Sequence, residues 1–95
     1  MKIRWLRIRN AASEIADCDV KLTISTTLNE NLRGACVKDN EGLHIFLNAE
    51  WAKDEDSVLL TVAHELAHQD FPMKHSTKWK RRKLAILKEL KKKMK

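Results

Sequence analysis

The spacing of the apolar residues changes near residue 56, and this change constrains the fold more than any other feature of the chain. Upstream, residues 20–26 alternate apolar and polar types and are rich in β-branched residues, which predicts a strand. Residues 34–48 form two short apolar runs around the turn-forming Asp39-Asn40-Glu41-Gly42, which predicts a β-hairpin. From Asp56 or Ser57 onwards the period becomes that of a helix, with one apolar stripe: Val58, Leu59, Val62, Ala63 and Leu66.

The segments at the two ends of the chain are also predicted to be helical. Residues 3–17 place apolar residues at helical spacing, although the alternation within residues 3–8 leaves a strand open there. The central helix should end before Pro72, which lacks an N–H and restricts the residue before it. A last helix should begin near Ser76 or Thr77, both favourable N-caps. Its predicted apolar stripe is Trp79, Leu84, Leu87, Leu90 and Met94.

This order of elements predicts an α+β fold, in which a small antiparallel sheet packs on the central helix beside N-terminal and C-terminal helices. The 95 residues are enough for a single domain, residues 1–95. No apolar run approaches the ~20 residues that cross a bilayer, and arginines interrupt residues 1–9 where a signal peptide needs a continuous apolar stretch. We therefore expect a cytoplasmic protein with no membrane partner.

Positive charge is concentrated at the two ends of the sequence. Residues 1–9 carry four basic side chains and no acid, residues 10–73 have a net charge of −8, and residues 74–95 have a net charge of +10. Such a basic segment can bind nucleic acid, fold back on the acidic body, or form a solvated helix face. One expectation is therefore weak, non-specific DNA binding through the basic C-terminal helix.

The residues that carry chemistry are His64-Glu65-Leu66-Ala67-His68, an HExxH motif within the predicted central helix. One helical turn separates His64 from His68, so their imidazoles can share one Zn²⁺ at about 2.0–2.1 Å from each nitrogen. Glu65 lies about 100° around the helix, beside the metal, where a general base can take a proton from water on the zinc. The motif therefore predicts Zn²⁺ as cofactor and Glu65 as the catalytic residue.

A catalytic zinc needs a third protein ligand and leaves its fourth position for water. His75 follows His68 by seven residues, just past the helix break at Pro72, and is the preferred third ligand. Glu89 on the last helix is the alternative, although the lysines around it favour a solvated position. Both assignments stay open on spacing alone.

The other residues of metal-ligating type receive different interpretations. His44 lies on a hairpin strand and is taken as a polar position on one face of the sheet. Cys18 and Cys36 are too few for a disulfide framework and too far apart for a CxxC ligand pair. We interpret both cysteines as inert thiols.

The motif and its flanking residues resemble a known family. The run Thr61-Val62-Ala63-His64-Glu65-Leu66-Ala67-His68, then Phe71-Pro72 and His75-Ser76-Thr77-Lys78-Trp79, is similar to the SprT-like zinc metallopeptidases and their bacterial YgjP-like relatives. The resemblance covers roughly residues 34–82. It implies a minimal zincin with His64, His68 and His75 on zinc and Glu65 as general base. The chain has no tyrosine, which some zincins use to stabilise the oxyanion.

The predicted function is a zinc-dependent metalloendopeptidase, and the resemblance implies proteins associated with DNA among its substrates. The strand at residues 43–48 is expected to receive an extended peptide by edge addition. Two alternatives remain. One is a small gluzincin-type latent peptidase with Glu89 as third ligand, and the other is a basic nucleic-acid-binding module with a structural zinc site.

Overall fold

A computed structural model describes residues 2–29, 31–70 and 76–95, apart from the side chain of Asp70. These residues form three helices and three strands, so the α+β class is confirmed. The N-terminal segment is a helix from Trp5 and not a strand. In chain order the elements are α1 Trp5–Ala16, β1 Val20–Ser25, β2 Gly34–Asp39, β3 Gly42–Asn48, α2 Glu55–Asp70 and α3 Thr77–Lys93.

The three strands form one sheet in the order β1-β3-β2. The hairpin strands β2 and β3 pair antiparallel, as predicted, but β1 pairs parallel with β3 in the register Val20↔Leu43 to Ser25↔Asn48. The small sheet is therefore mixed and not antiparallel throughout, because β3 lies between the other two strands and runs in the same direction as β1. No helix in the described ranges is long and apolar enough to span a bilayer.

The core lies between the helices and one face of the sheet. On β3 the alternating residues Leu43, Ile45 and Leu47 are buried, whereas His44 and Phe46 lie on the opposite face and are only half-buried. The predicted apolar stripe of α2 is buried throughout. The sheet therefore holds α2 against its inner face, and the outer face remains accessible.

The buried stripe of α3 differs from the predicted one at two positions. Leu84 is 66% exposed, whereas Ile86, which the prediction omits, is 1% exposed. Leu84 lies five residues after Trp79, which places it about 140° around the helix from that buried side chain. Ile86 lies seven residues after Trp79 and returns to nearly the same face, in line with Leu90.

Side chains fix the starts of the two long helices. Asp54 accepts a hydrogen bond from the Ser57 backbone N–H at 2.7 Å, which lowers the pKa of the Asp54 carboxyl and caps α2. Ser76 caps α3 by accepting from the Trp79 N–H at 3.2 Å. The predicted start of the last helix is therefore confirmed.

The exposures along α3 lead to a stability prediction. Leu90→Ala should lower the free energy of unfolding by about 2–5 kcal/mol, because it removes a fully buried side chain from the core. Leu84→Ala is the matched control and should change it by no more than about 0.5 kcal/mol. Urea denaturation followed by tryptophan fluorescence measures both. Equal losses in the two variants would contradict the buried face assigned to α3.

Candidate metal centre

His64 and His68 bring their Nε2 atoms together on one face of α2. The two atoms lie 3.1 Å apart, and the ring centroids lie 4.8 Å apart. Two imidazole nitrogens on one tetrahedral zinc, each at about 2.0–2.1 Å, would stand about 3.3 Å from each other. The pair therefore fits a single shared zinc ion with very little rearrangement.

Glu65 lies beside the histidine pair on the side of α2 that faces β2. Its side chain is largely buried, with 8% of the residue exposed, and one carboxylate oxygen lies 3.9 Å from His64 Nε2. Burial raises the pKa of the Glu65 carboxyl above its ordinary value. A carboxylate with a raised pKa next to a pair of metal-ligating histidines is suited to accept a proton and later return it.

Gly34 allows β2 to approach α2 closely at Glu65. A Cβ atom at position 34 would lie 2.8 Å from Thr61 Cγ2 and 2.8 Å from the Phe46 carbonyl oxygen, both too close. The same Cβ would lie 3.9 Å from Glu65 Cγ. The start of β2 therefore borders the general-base candidate, which sequence reasoning did not foresee.

The ring of Trp79 packs against the rings of both histidines. Its ring centroid lies 4.7 Å from that of His64 and 5.0 Å from that of His68, and the residue is 3% exposed. The sequence predicted Trp79 as a core residue, which is confirmed, but its contact with the histidine pair depends on how α3 packs on α2. The ring restricts the orientations that the two imidazoles can adopt.

Of the two proposed third ligands, only Glu89 lies within the described residues. His75 lies outside the described residues, and within the described ranges no three His, Cys, Asp or Glu side chains are grouped to hold a metal ion. Glu89 is exposed on α3, ten residues or about 15 Å along the helix from Trp79. The structure therefore does not bring Glu89 to the histidine pair.

His44 and the cysteines also stand apart from the pair. His44 lies on the outer face of the sheet, where its Nε2 is 2.6 Å from Thr23 Oγ1 and its ring stacks on Phe46 at 4.2 Å. Both cysteines are free and half-buried. Burial raises the pKa of the Cys36 thiol to about 11, so this thiol is protonated at neutral pH and unreactive.

The predicted substrate strand has no open edge. β3 pairs with β1 on one side and β2 on the other, so an extended peptide cannot add to residues 43–48. That expectation is wrong. β2 is instead the edge strand on the side of Glu65, since Gly34 lies against Thr61 and Gln69 Nε2 donates to Cys36 Sγ at 3.4 Å.

Comparison of the chain with protein-family models, curated proteins and solved structures finds no match. The functional interpretation therefore depends on the motif residues and on the geometry of the site.

Proposed function

We propose that this chain is a zinc-dependent metalloendopeptidase of the SprT-like kind. The observation that carries the proposal is the 3.1 Å separation of the His64 and His68 Nε2 atoms, with the buried carboxylate of Glu65 directly beside them. This arrangement matches what a zinc peptidase requires of an HExxH helix. His75 is proposed as the third ligand.

The roles of the side chains follow from their positions. When bound, a zinc ion supplies Lewis acidity that polarises a peptide carbonyl and lowers the pKa of water. His64 and His68 hold the metal on α2, and Trp79 keeps their rings in place. Glu65 accepts a proton from the attacking water and then donates it to the leaving nitrogen. Its buried environment, which raises its pKa, favours this double role.

The third ligand is supported by the described residues that follow it. Ser76, the next residue after His75, caps α3, and the third residue of that helix, Trp79, contacts both histidines. The start of α3 is thus held next to the histidine pair. The gluzincin-type alternative has less support, because Glu89 lies on the exposed side of α3 and far along the helix.

The substrate is proposed to lie along the edge of β2 that no described strand pairs with. An extended peptide there would pair with the backbone of the edge strand, and its carbonyl would approach Glu65 near Gly34. This placement replaces the one expected on β3.

A cleavage assay with metal removal and restoration tests the proposed function. The purified protein should hydrolyse an unfolded protein such as casein, lose this activity after chelation, and regain it with one equivalent of Zn²⁺. No cleavage by the zinc-loaded protein, measured alongside a known metallopeptidase, would contradict the proposal.

A second candidate function is polyanion binding, and the arrangement of charge favours it. Arg4 Nη1 donates to the Met94 carbonyl at 3.0 Å, so the two basic ends of the sequence meet in space. Lys93 pairs with Glu14 at 2.7 Å, but most basic residues of the C-terminal segment are exposed without a described acidic partner. These are Lys78, Lys80, Arg81, Lys88, Lys91, Lys92 and Lys95.

The polyanion proposal predicts weak duplex DNA binding that falls steeply with salt, because such binding depends on counterion release. Changing Arg81, Lys88, Lys91 and Lys92 to Gln should lower the slope of log affinity against log salt by up to about 0.9 for each phosphate that the protein no longer neutralises. Changing Lys38 and Lys53 of the body to Gln is the control and should leave the slope unchanged. Absence of binding at ~50 mM salt, or an unchanged slope in the quadruple variant, would contradict DNA binding by α3. Its basic side chains would then serve to keep the protein soluble.

A further inference from the structure

Two cationic side chains, each held over a tryptophan ring, belong to segments that contact the candidate metal centre. Arg33 immediately precedes β2, and Lys83 lies on the second turn of α3. Neither belongs to the HExxH motif, and neither has a role in the chemistry proposed above. Separate contacts hold the two side chains.

Lys83 is held over the tryptophan that contacts the histidines. Its Nζ lies 5.3 Å from the centroid of the Trp79 ring, and that ring lies 4.7 Å from the His64 ring. The ammonium group is therefore no further from the His64 ring than these two distances combined. An extended peptide advances about 3.3 Å per residue, so this upper limit corresponds to at most about three residues from the histidine pair.

Arg33 lies directly before β2, the strand whose first residue borders Glu65. Its carbonyl accepts from the Asn48 N–H at 2.9 Å, and its guanidinium carbon lies 4.8 Å from the centroid of the Trp51 ring. The next residue is Gly34, which borders Glu65. The guanidinium is therefore carried by the segment that leads into the proposed substrate edge.

The two cations act on one another, and no described carboxylate neutralises them. Partial burial lowers the pKa of Lys83, and the charge of Arg33 lowers it further. The ion pairs among the described side chains involve other basic residues: Arg4, Lys21, His64 and Lys93. Two like charges that act on one another favour an anion between or beside them.

We infer that Arg33 and Lys83 form a carboxylate subsite, which selects peptides carrying an acidic residue within three positions of the cleaved bond. The inference rests on the proposed peptidase function, because it assigns the substrate class of the same site. A carboxylate is the anion that a peptide itself provides, and the ammonium group of Lys83 lies within reach of a side chain close to the cleaved bond.

Peptide binding to the Glu65→Gln variant tests the subsite without requiring turnover. Fluorescence anisotropy measures the affinity of zinc-loaded Glu65→Gln for two labelled peptides. One peptide carries Glu and the other Gln, three positions from a central Ala-Ala bond. Each peptide is made with a free and with an amidated C-terminus, which separates a side-chain carboxylate from a terminal one. The Glu peptide should bind about tenfold more tightly than the Gln peptide with either terminus.

Second-site variants show whether the preference arises from these two cations. Lys83→Met should bring the Glu and Gln peptides to nearly equal affinity, and Lys83→Arg should keep most of the preference. Arg33→Met should also reduce the ratio, whereas Lys88→Met on the exposed side of α3 should leave it unchanged. The ratio of the two affinities is the readout, because a general loss of stability would weaken both peptides together.

Different results would overturn the carboxylate subsite and the proposed peptidase function. Equal binding of the Glu and Gln peptides, a preference that depends only on the free C-terminus, or a preference that survives both Met variants would each overturn the subsite. An intact preference in a protein that cleaves nothing would contradict the peptidase and support the carboxylate site.

Discussion

Replacing Glu65 with Gln is expected to lower the peptidase rate at least ~100-fold while the protein keeps its zinc. General acid–base catalysis contributes about 10²–10⁴-fold, and the amide of Gln cannot accept a proton from water. Glu65 stands beside the histidine pair and does not belong to the predicted ligand set, so the metal should remain. Initial rates of peptide cleavage and zinc content by mass spectrometry measure the two effects.

Asp56→Asn provides the matched control for this variant. Asp56 lies on the first turn of the same helix and is exposed, and its replacement also removes one negative charge. Its cleavage rate should stay within about twofold of the wild-type rate, as expected for a surface residue away from the site. Wild-type activity in Glu65→Gln would exclude Glu65 as the general base.

The second large effect expected is on zinc affinity. His68→Ala should weaken zinc binding by at least ~100-fold, because it removes one of the two nitrogens that stand 3.1 Å apart. His75→Ala is predicted to have a similar effect, and Glu89→Ala almost none. Competition with a zinc-binding dye gives the affinity of each variant.

Thermal unfolding reports the same binding independently. Zinc at 100 times its dissociation constant stabilises a folded protein by about 2.7 kcal/mol, which in a domain of this size raises Tm by about 10 °C or more. Wild type and the control His44→Ala, whose side chain lies on the outer face of the sheet, should show this rise. An equal rise in His68→Ala would place the zinc elsewhere, and loss in Glu89→Ala instead of His75→Ala would favour the gluzincin arrangement.

Local patterns predicted the elements that carry the site. The apolar stripe of α2 fixes which side of the helix enters the core, and the HExxH spacing then places His64 and His68 on a common face. The start of α3 at Ser76 was also predictable, because an N-cap hydroxyl satisfies a backbone N–H within three residues. Such features depend on neighbours in sequence and need no knowledge of the tertiary fold.

The features that the sequence did not predict depend on residues far apart in the chain. Alternation shows which face of β1 is buried but not which strand lies beside it, so its parallel pairing with β3 was missed. The error on α3 was local instead, because the helical period itself places Ile86, and not Leu84, on the face of Trp79 and Leu90. Arg33 and Lys83 lie over the rings of Trp51 and Trp79, and no motif specifies these contacts.

X-ray absorption at the zinc edge of the loaded protein tests the central claim most directly, because it identifies the atoms bound to the metal. We predict a first shell of only nitrogen and oxygen atoms at about 2.0–2.1 Å, with the outer-shell scattering of three imidazoles. These imidazoles would be those of His64, His68 and His75. A sulfur shell at about 2.3 Å, which only Cys18, Cys36 or a methionine could supply, or fewer than two imidazoles, would contradict the proposed metal centre.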